Sequence, residues 1–271
     1  MLGGVGMLGH VLLKKLNDNK VFDIYDITRN KENRPNNFKC DVTNFDYLFK
    51  IIKDIKPDYI VNCIGILIKG SIEEPSNAIL TNAILPHKLV EFSNAVDSKL
   101  IHISTDCVFD GSKGSYIETD NKTAQDTYGL SKSLGEINDD KNLTLRTSII
   151  GPELKDDGEG LFSWFIKQKG EVSGFIESIW GGVTTLALAD VIIKSINENY
   201  TGLFHVTNGQ PISKFDLLSL IKEKFELNNI DLKRVSGKKA DKSLSTKFNH
   251  FNIQTYSEMI SEMRNYYIKN Y

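Results

Sequence analysis

Through its first 150 residues the chain alternates short β-rich runs with longer amphipathic stretches, and no other feature narrows the fold as far. Val21 to Ile27, Tyr59-Ile60-Val61-Asn62-Cys63, Leu100 to Ser104 and Leu143-Thr144-Leu145-Arg146 read as strands. His10 to Leu16, Tyr47 to Ile55 and Asn82 to Val96 read as helices. Pro57 stops the second, and Pro86 stands near the start of the third. This alternation predicts an α/β fold: a doubly wound parallel sheet with helices on both faces. Beyond residue 150 the pattern loosens. Leu161 to Phe165, Thr185 to Glu198 and Tyr256 to Tyr267 read as helices, and Gly202 to Val206 as a strand. Ser213 is a fitting cap for a helix from Phe215 to Phe225. These later pieces are too few for a second sheet-based domain.

Composition removes several classes of function. The chain has 271 residues, 40% hydrophobic and 25% charged, enough to bury a sizeable core. A net charge of -2 gives no electrostatic case for nucleic acid. No apolar run approaches the roughly 20 residues of a membrane span. Met1-Leu2-Gly3-Gly4 lacks the basic and apolar segments of a signal peptide. Cys40, Cys63 and Cys107 are widely spaced and fit neither a metal motif nor a disulfide framework. A cytoplasmic location is the simplest expectation, and no metal is expected.

Gly3, Gly6 and Gly9 form Gly-x-x-Gly-x-x-Gly just before the apolar face of Val11, Leu12 and Leu16. Backbone there can approach a pyrophosphate, which sits at a helix N-terminus where free N–H groups favour anions. Asp26 follows near the expected distance and would bind the adenosine ribose hydroxyls. Arg29 would instead hold a 2′-phosphate. The two argue for opposite cofactors, NADH and NADPH, and the choice stays open. Asp41 is a candidate near the adenine. Only Met1 and Leu2 precede Gly3, so the first strand of such a Rossmann-like unit reads as truncated.

Tyr128 and Lys132 stand four residues apart, downstream of Ser104-Thr105-Asp106. On a helix that spacing puts phenol and ammonium on one face. A nearby ammonium lowers a tyrosine's pKa, which suits proton transfer near neutral pH.

Together these residues resemble the extended short-chain dehydrogenase/reductase family, above all its dTDP-4-dehydrorhamnose reductases and related nucleotide-sugar reductases. The carrying segments are Gly3 to Gly9, Val61-Asn62-Cys63-Ile64-Gly65, Ser104-Thr105-Asp106-Cys107-Val108-Phe109, Tyr128 to Lys132, and Leu145-Arg146-Thr147-Ser148. The resemblance implies a catalytic set: Thr105 orients a carbonyl, Tyr128 protonates the forming alkoxide, and Lys132 holds the nicotinamide ribose. It implies a cofactor site of Gly3, Gly6, Met7, Leu8, Asp26, Arg29, Asp41, Val42, Cys63, Ile64, Gly65 and Asn82, with Tyr128 and Lys132. It implies substrate contacts from Thr105, Asp106, Val108, Trp180, Gly182 and Val183. Lys242 to Lys247 falls where relatives present polar residues near nucleotide phosphates, although a solvated charge run is the plainer reading. His10, His102 and His205 show no ligand spacing and read as structural.

The implied activity is NADPH- or NADH-dependent reduction of a 4-keto nucleotide-linked deoxysugar for surface polysaccharide synthesis. An epimerase or dehydratase on the same scaffold stays open, as does a non-catalytic NADP-binding regulatory subunit. The implied division is a dinucleotide-binding domain, 1–150, joined by a strand and helix from about 185–207. A small interleaved substrate lobe then comprises 151–184 and 208–271. A homodimer is the assembly left open.

Overall fold

The computed structural model describes residues 1–155, 158–237 and 239–271. The chain opens with α1 (Gly9–Asn19), β1 (Asp26–Thr28), β2 (Asn37–Lys39), α2 (Phe45–Ile55) and β3 (Tyr59–Asn62). Two short helices, α3 (Ile68–Glu73) and α4 (Pro75–Ala78), lead through a π-helical segment (Ile79–Ile84) into α5 (Leu85–Ala95). Then come β4 (Lys99–Thr105), α6 (Thr127–Leu134), β5 (Leu143–Thr147), β6 (Ile149–Ile150), α7 (Leu161–Phe165), β7 (Gly170–Phe175), β8 (Ser178–Trp180) and β9 (Val183–Thr184). The chain continues through α8 (Thr185–Asn197), β10 (Gly202–His205), β11 (Ile212–Ser213), α9 (Lys214–Lys224), β12 (Ile230–Val235), β13 (Ala240–Asp241) and α10 (Tyr256–Asn270).

The main sheet is parallel and runs β2-β1-Leu2-β3-β4-β5-β10. Leu2 bridges Ile27 on one side and Asn62 on the other. Its N–H donates to the Val61 carbonyl at 2.8 Å, while the Ile27 N–H donates to the Met1 carbonyl at 3.0 Å. Met1 and Leu2 thus occupy the position of the strand that the sequence shows as cut short. From Leu2 the chain works outward to β1 and β2, then returns to β3 and works outward the other way to β10. The order reverses between Leu2 and β3, and in such sheets ligands bind at the strand ends beside that reversal.

Alternate strand residues feed two cores, as a period of two requires. Val61 and Ile101 join Val11 and Leu12 of α1, Leu188 and Ile192 of α8, and Met259 and Met263 of α10. Ile60 and Leu100 face the other way, toward Leu48 and Ile52 of α2 and Leu89 and Phe92 of α5. Helix α1 has no side-chain N-cap. Burial of Val11, Leu12 and Leu16 holds it instead, each worth roughly 1.5–3 kcal/mol against about 1 kcal/mol for a cap. Its N-terminal N–H groups stay free for a ligand.

Three expectations change in detail. The strand expected over Val21 to Ile27 begins only at Asp26, and Val21 is 75% exposed. The helix expected from Asn82 begins as a π-helical segment. Pro86 lacks the N–H that the Asn82 carbonyl would accept, so regular helix starts at Leu85. The later chain also holds more strands than expected: β7 pairs with β12, and β8 pairs with β11 and β13. Exposed Glu171, Ser173, Lys233 and Arg234 dilute the apolar signal of the β7–β12 ribbon. Among the described residues no helix is long and apolar enough to cross a membrane.

Candidate active site

A cleft of about 490 Å³ opens at the reversal of strand order. Gly6, Met7 and Leu8 line it from the glycine loop, and Cys63, Ile64 and Gly65 from the end of β3. Thr105 and Asp106 enter from the end of β4, Tyr128 and Lys132 from α6. Parallel strands bring these distant segments together because all their C-terminal ends point one way.

Helix α6 carries the chemistry. Asp126 caps it, accepting the Gly129 N–H at 2.9 Å. Any side chain at Gly129 would collide with the Cys107 carbonyl and Ala124, so glycine there lets α6 lie against the segment after β4. Tyr128 and Lys132 point into the cleft, while Leu130 and Leu134 on the same helix are exposed. Lys132 is buried, its Nζ donating to the Ile103 carbonyl at 2.6 Å and lying 3.4 Å from His102 Nε2. Burial pushes its pKa down to about 8, with Glu136 opposing. Burial pushes the Tyr128 phenol up, the Cys107 thiol adds to the rise, and the Thr105 hydroxyl counteracts it.

The expectation that Lys132 lowers the Tyr128 pKa is therefore corrected. The ammonium is directed to a backbone carbonyl, and desolvation dominates the phenol. A phenol held protonated is a proton donor in waiting, which suits reduction of a carbonyl.

Thr105 accepts the Cys107 N–H at 3.1 Å and donates to Asp106 Oδ1 at 3.2 Å. Burial raises the Asp106 pKa, against the pull of Lys242. Cys107 lines the cleft, but burial pushes its thiol up to about 12, so it stays a protonated, unreactive wall. Burial likewise takes Cys63 to about 12.

Behind the cleft lies a second cluster. Arg146 donates through Nε and Nη2 to both oxygens of Glu136, each at 2.7 Å, and through Nη1 to His205 Nε2 at 2.7 Å. Ser104 donates to Glu136 at 2.6 Å. Burial alone would raise Glu136, but Arg146 and Ser104 hold it below its ordinary value.

Not every expected residue reaches the cleft. Asn82 lies off it: its side chain clasps the Ile66 backbone N–H and carbonyl, each at 2.9 Å, and donates to Ser131 Oγ at 3.2 Å. It braces the loop after β3 against α6. Asp26, Arg29, Asp41 and Val42 sit at the ends of β1 and β2, beside the glycine loop rather than on the cleft wall, and Gly3 is also off the wall. Val108, Trp180 and Val183 are corrected to the core. Val108 packs with Phe109, Tyr116 and Leu244, while Trp180 packs against Tyr256 with ring centroids 5.6 Å apart. Gly182 lies against the Ser148 carbonyl and does not line the cleft either.

The sequence reading missed Thr147 and Ser148 after β5, and Glu153, Glu159 and Leu161 on the far wall. The end of β5 was findable, since every neighbouring strand end contributes. The far wall carried no periodic signal. The three histidines bond within the fold: His10 to the Gly6 carbonyl at 2.8 Å, His102 to Asn62 at 3.2 Å, and His205 to Arg146 and the Ser245 carbonyl.

The site's donors fit a dinucleotide. The uncapped N-terminus of α1 has no acidic residue in its first turn, the glycine loop borders the cleft, and Arg29 stands exposed at the end of β1.

Comparison with known proteins agrees. The family model described as the RmlD substrate binding domain matches residues 1–249. A dTDP-4-dehydrorhamnose reductase of Aggregatibacter actinomycetemcomitans is 30% identical over 228 residues, 79% of this chain and 74% of that protein. The solved structure of a hypothetical dTDP-4-dehydrorhamnose reductase from Sulfolobus tokodaii is 31% identical, covers 90% of both chains and superposes with a TM-score of 0.77. The dTDP-4-dehydrorhamnose reductase of Bacillus anthracis in complex with NADP has a TM-score of 0.81 at 24% identity, covering 99% of this chain and 98% of that one.

Proposed function

The chain belongs to the RmlD substrate binding domain family, and from that membership we propose that it is an NAD(P)H-dependent reductase of a 4-keto nucleotide-linked deoxysugar serving surface polysaccharide synthesis. The observation that carries this reading is the convergence of Thr105, Tyr128 and Lys132 on one cleft with the glycine loop. Bound nicotinamide would supply hydride to the carbonyl carbon. Tyr128 then gives its proton to the carbonyl oxygen as charge develops there. Thr105 orients that oxygen from the end of β4. Lys132 holds the nicotinamide ribose from below, and Asp106 and Thr105 contact the sugar. Gly6, Met7, Leu8, Cys63, Ile64 and Gly65 form the cofactor wall, with Gly3, Arg29, Asp41 and Val42 at the adenosine end.

Residues 1–150 with about 185–207 act as the dinucleotide-binding domain in this reading, and 151–184 with 208–271 as the substrate lobe. Three free cysteines suit a cytoplasmic setting. The test is loss of reduced-nicotinamide absorbance on mixing the protein with NADPH and a dTDP-4-keto-6-deoxysugar. Turnover that disappears in Tyr128→Phe supports the reading. Cofactor binding without turnover of any such sugar would sink it.

A second copy of the chain is the proposed partner. Exposed Ile68 and Ile72 on α3, Ile79 and Ile84 on the π-helical segment, and Leu130 and Leu134 on α6 lie on mutually packed elements. An apolar surface of this kind marks an interaction site. Light scattering at twice the chain mass is expected, and a monomer at high concentration contradicts it.

A further inference from the structure

The acid and the base at the end of β1 are not equally available. Asp26 is 2% exposed. Its Oδ1 accepts the Gly4 N–H at 3.2 Å. Its Oδ2 accepts Arg34 Nε at 3.0 Å, Arg34 Nη2, and Asn37 Nδ2 at 3.0 Å. A side chain at Gly4 would run into this carboxylate, so the loop backbone lies directly on it and leaves no room for a sugar between them. A ribose hydroxyl needs a free carboxylate acceptor. Freeing Asp26 would mean breaking its pair with Arg34 and leaving a buried charge uncompensated.

Arg29 presents the opposite case. It is exposed, one residue beyond β1, and among the described residues it has no hydrogen-bond or ion-pair partner. The carboxylate of Asp41 nearby is held by the Thr43 N–H at 3.0 Å and the Thr43 hydroxyl at 2.8 Å. Arg34 itself keeps 28% of its side chain exposed beside the site.

We propose that Arg34 determines cofactor choice: by closing Asp26 it removes the ribose-hydroxyl acceptor and cancels its charge, so that Arg29 and the open edge of Arg34 seat the 2′-phosphate of NADPH. This rests on the dinucleotide reading above. The sequence offered Asp26 and Arg29 as rivals, and Arg34 resolves the rivalry through space.

Titration calorimetry with 2′,5′-ADP and 5′-ADP tests the proposal without any turnover. The wild-type protein should bind 2′,5′-ADP at least about tenfold more tightly, as charged hydrogen bonds to a phosphate imply. Arg34→Leu should collapse that ratio toward one, and Arg34→Lys should keep most of it. Arg29→Ala changes an exposed side chain, so it keeps the test alive if Arg34→Leu fails to fold, and it should also lower the ratio. Equal wild-type affinities, or a ratio unmoved by the Arg34→Leu and Arg29→Ala changes, would overturn the choice of cofactor while leaving the dinucleotide reading intact. Binding of neither nucleotide would overturn the dinucleotide reading itself, and this proposal with it.

Discussion

Two buried ionisable clusters stand close together around α6, and they are built on opposite terms. In the cluster behind the cleft, the Glu136 and Arg146 side chains are each 2% exposed, yet they are joined by paired hydrogen bonds. His205, Ser104 and Lys122 complete the set. In the cluster facing the cleft, Lys132 is equally buried, but among the described residues it has no carboxylate in contact. Matching holds Glu136 below its ordinary pKa in spite of burial. Lack of matching drives Lys132 down to about 8 and Tyr128 up. Burial is common to both; the presence of a partner decides what it does. The matched cluster orients β5 against the end of α6. The unmatched one leaves a proton donor and a titratable base facing a cleft, the pattern expected where chemistry is done.

Replacing one member of each cluster separates them. Tyr128→Phe should lower kcat by about 10²–10⁴-fold, the range of a lost general acid, with thermal unfolding unchanged. Arg146→Ala should instead destabilise the fold by about 3–5 kcal/mol in a denaturant titration, because Glu136 is left buried and unpaired. If Arg146→Ala unfolds at the wild-type midpoint, the contrast between the clusters fails.

A pH series gives the smallest and most discriminating effect. Lys132 is an ammonium below about 8, so kcat/KM for the cofactor should fall as pH rises through that value. Its folded pKa lies below its unfolded value of 10.5, so between those two pH values the unfolded chain binds more protons. Lys132 should therefore make stability rise with pH across that window. Glu136 acts at the other end. Its pKa is held below 4.5, so its contribution is complete above that value and is lost as pH falls through the lower folded pKa. A flat rate profile through pH 8 would show that the Lys132 charge is not used.

Much of this was legible along the chain. Strands β3, β4 and β5 are continuous apolar runs, because a sheet covered on both faces buries every side chain. The spacing of Tyr128 and Lys132 and the position of Thr105 are local or nearly so, and they survived folding unchanged in meaning. Residues whose placement depends on distant partners were misjudged. Trp180 was assigned to the substrate cleft and lies in the core against Tyr256, because α10 packs over that stretch, which only the fold reveals. The β7–β12 ribbon was invisible because half its residues face solvent.

By itself the sequence determined the parallel α/β order, the glycine loop before α1, and the catalytic set, since each is written in periodicity or short spacing. Only the tertiary structure decided the protonation of that set and the company that Asp26 keeps. Both depend on burial and on partners brought in from other elements: desolvation reverses the expected direction for Tyr128, and Arg34 folds back from the β1–β2 loop to close a carboxylate that the sequence left open.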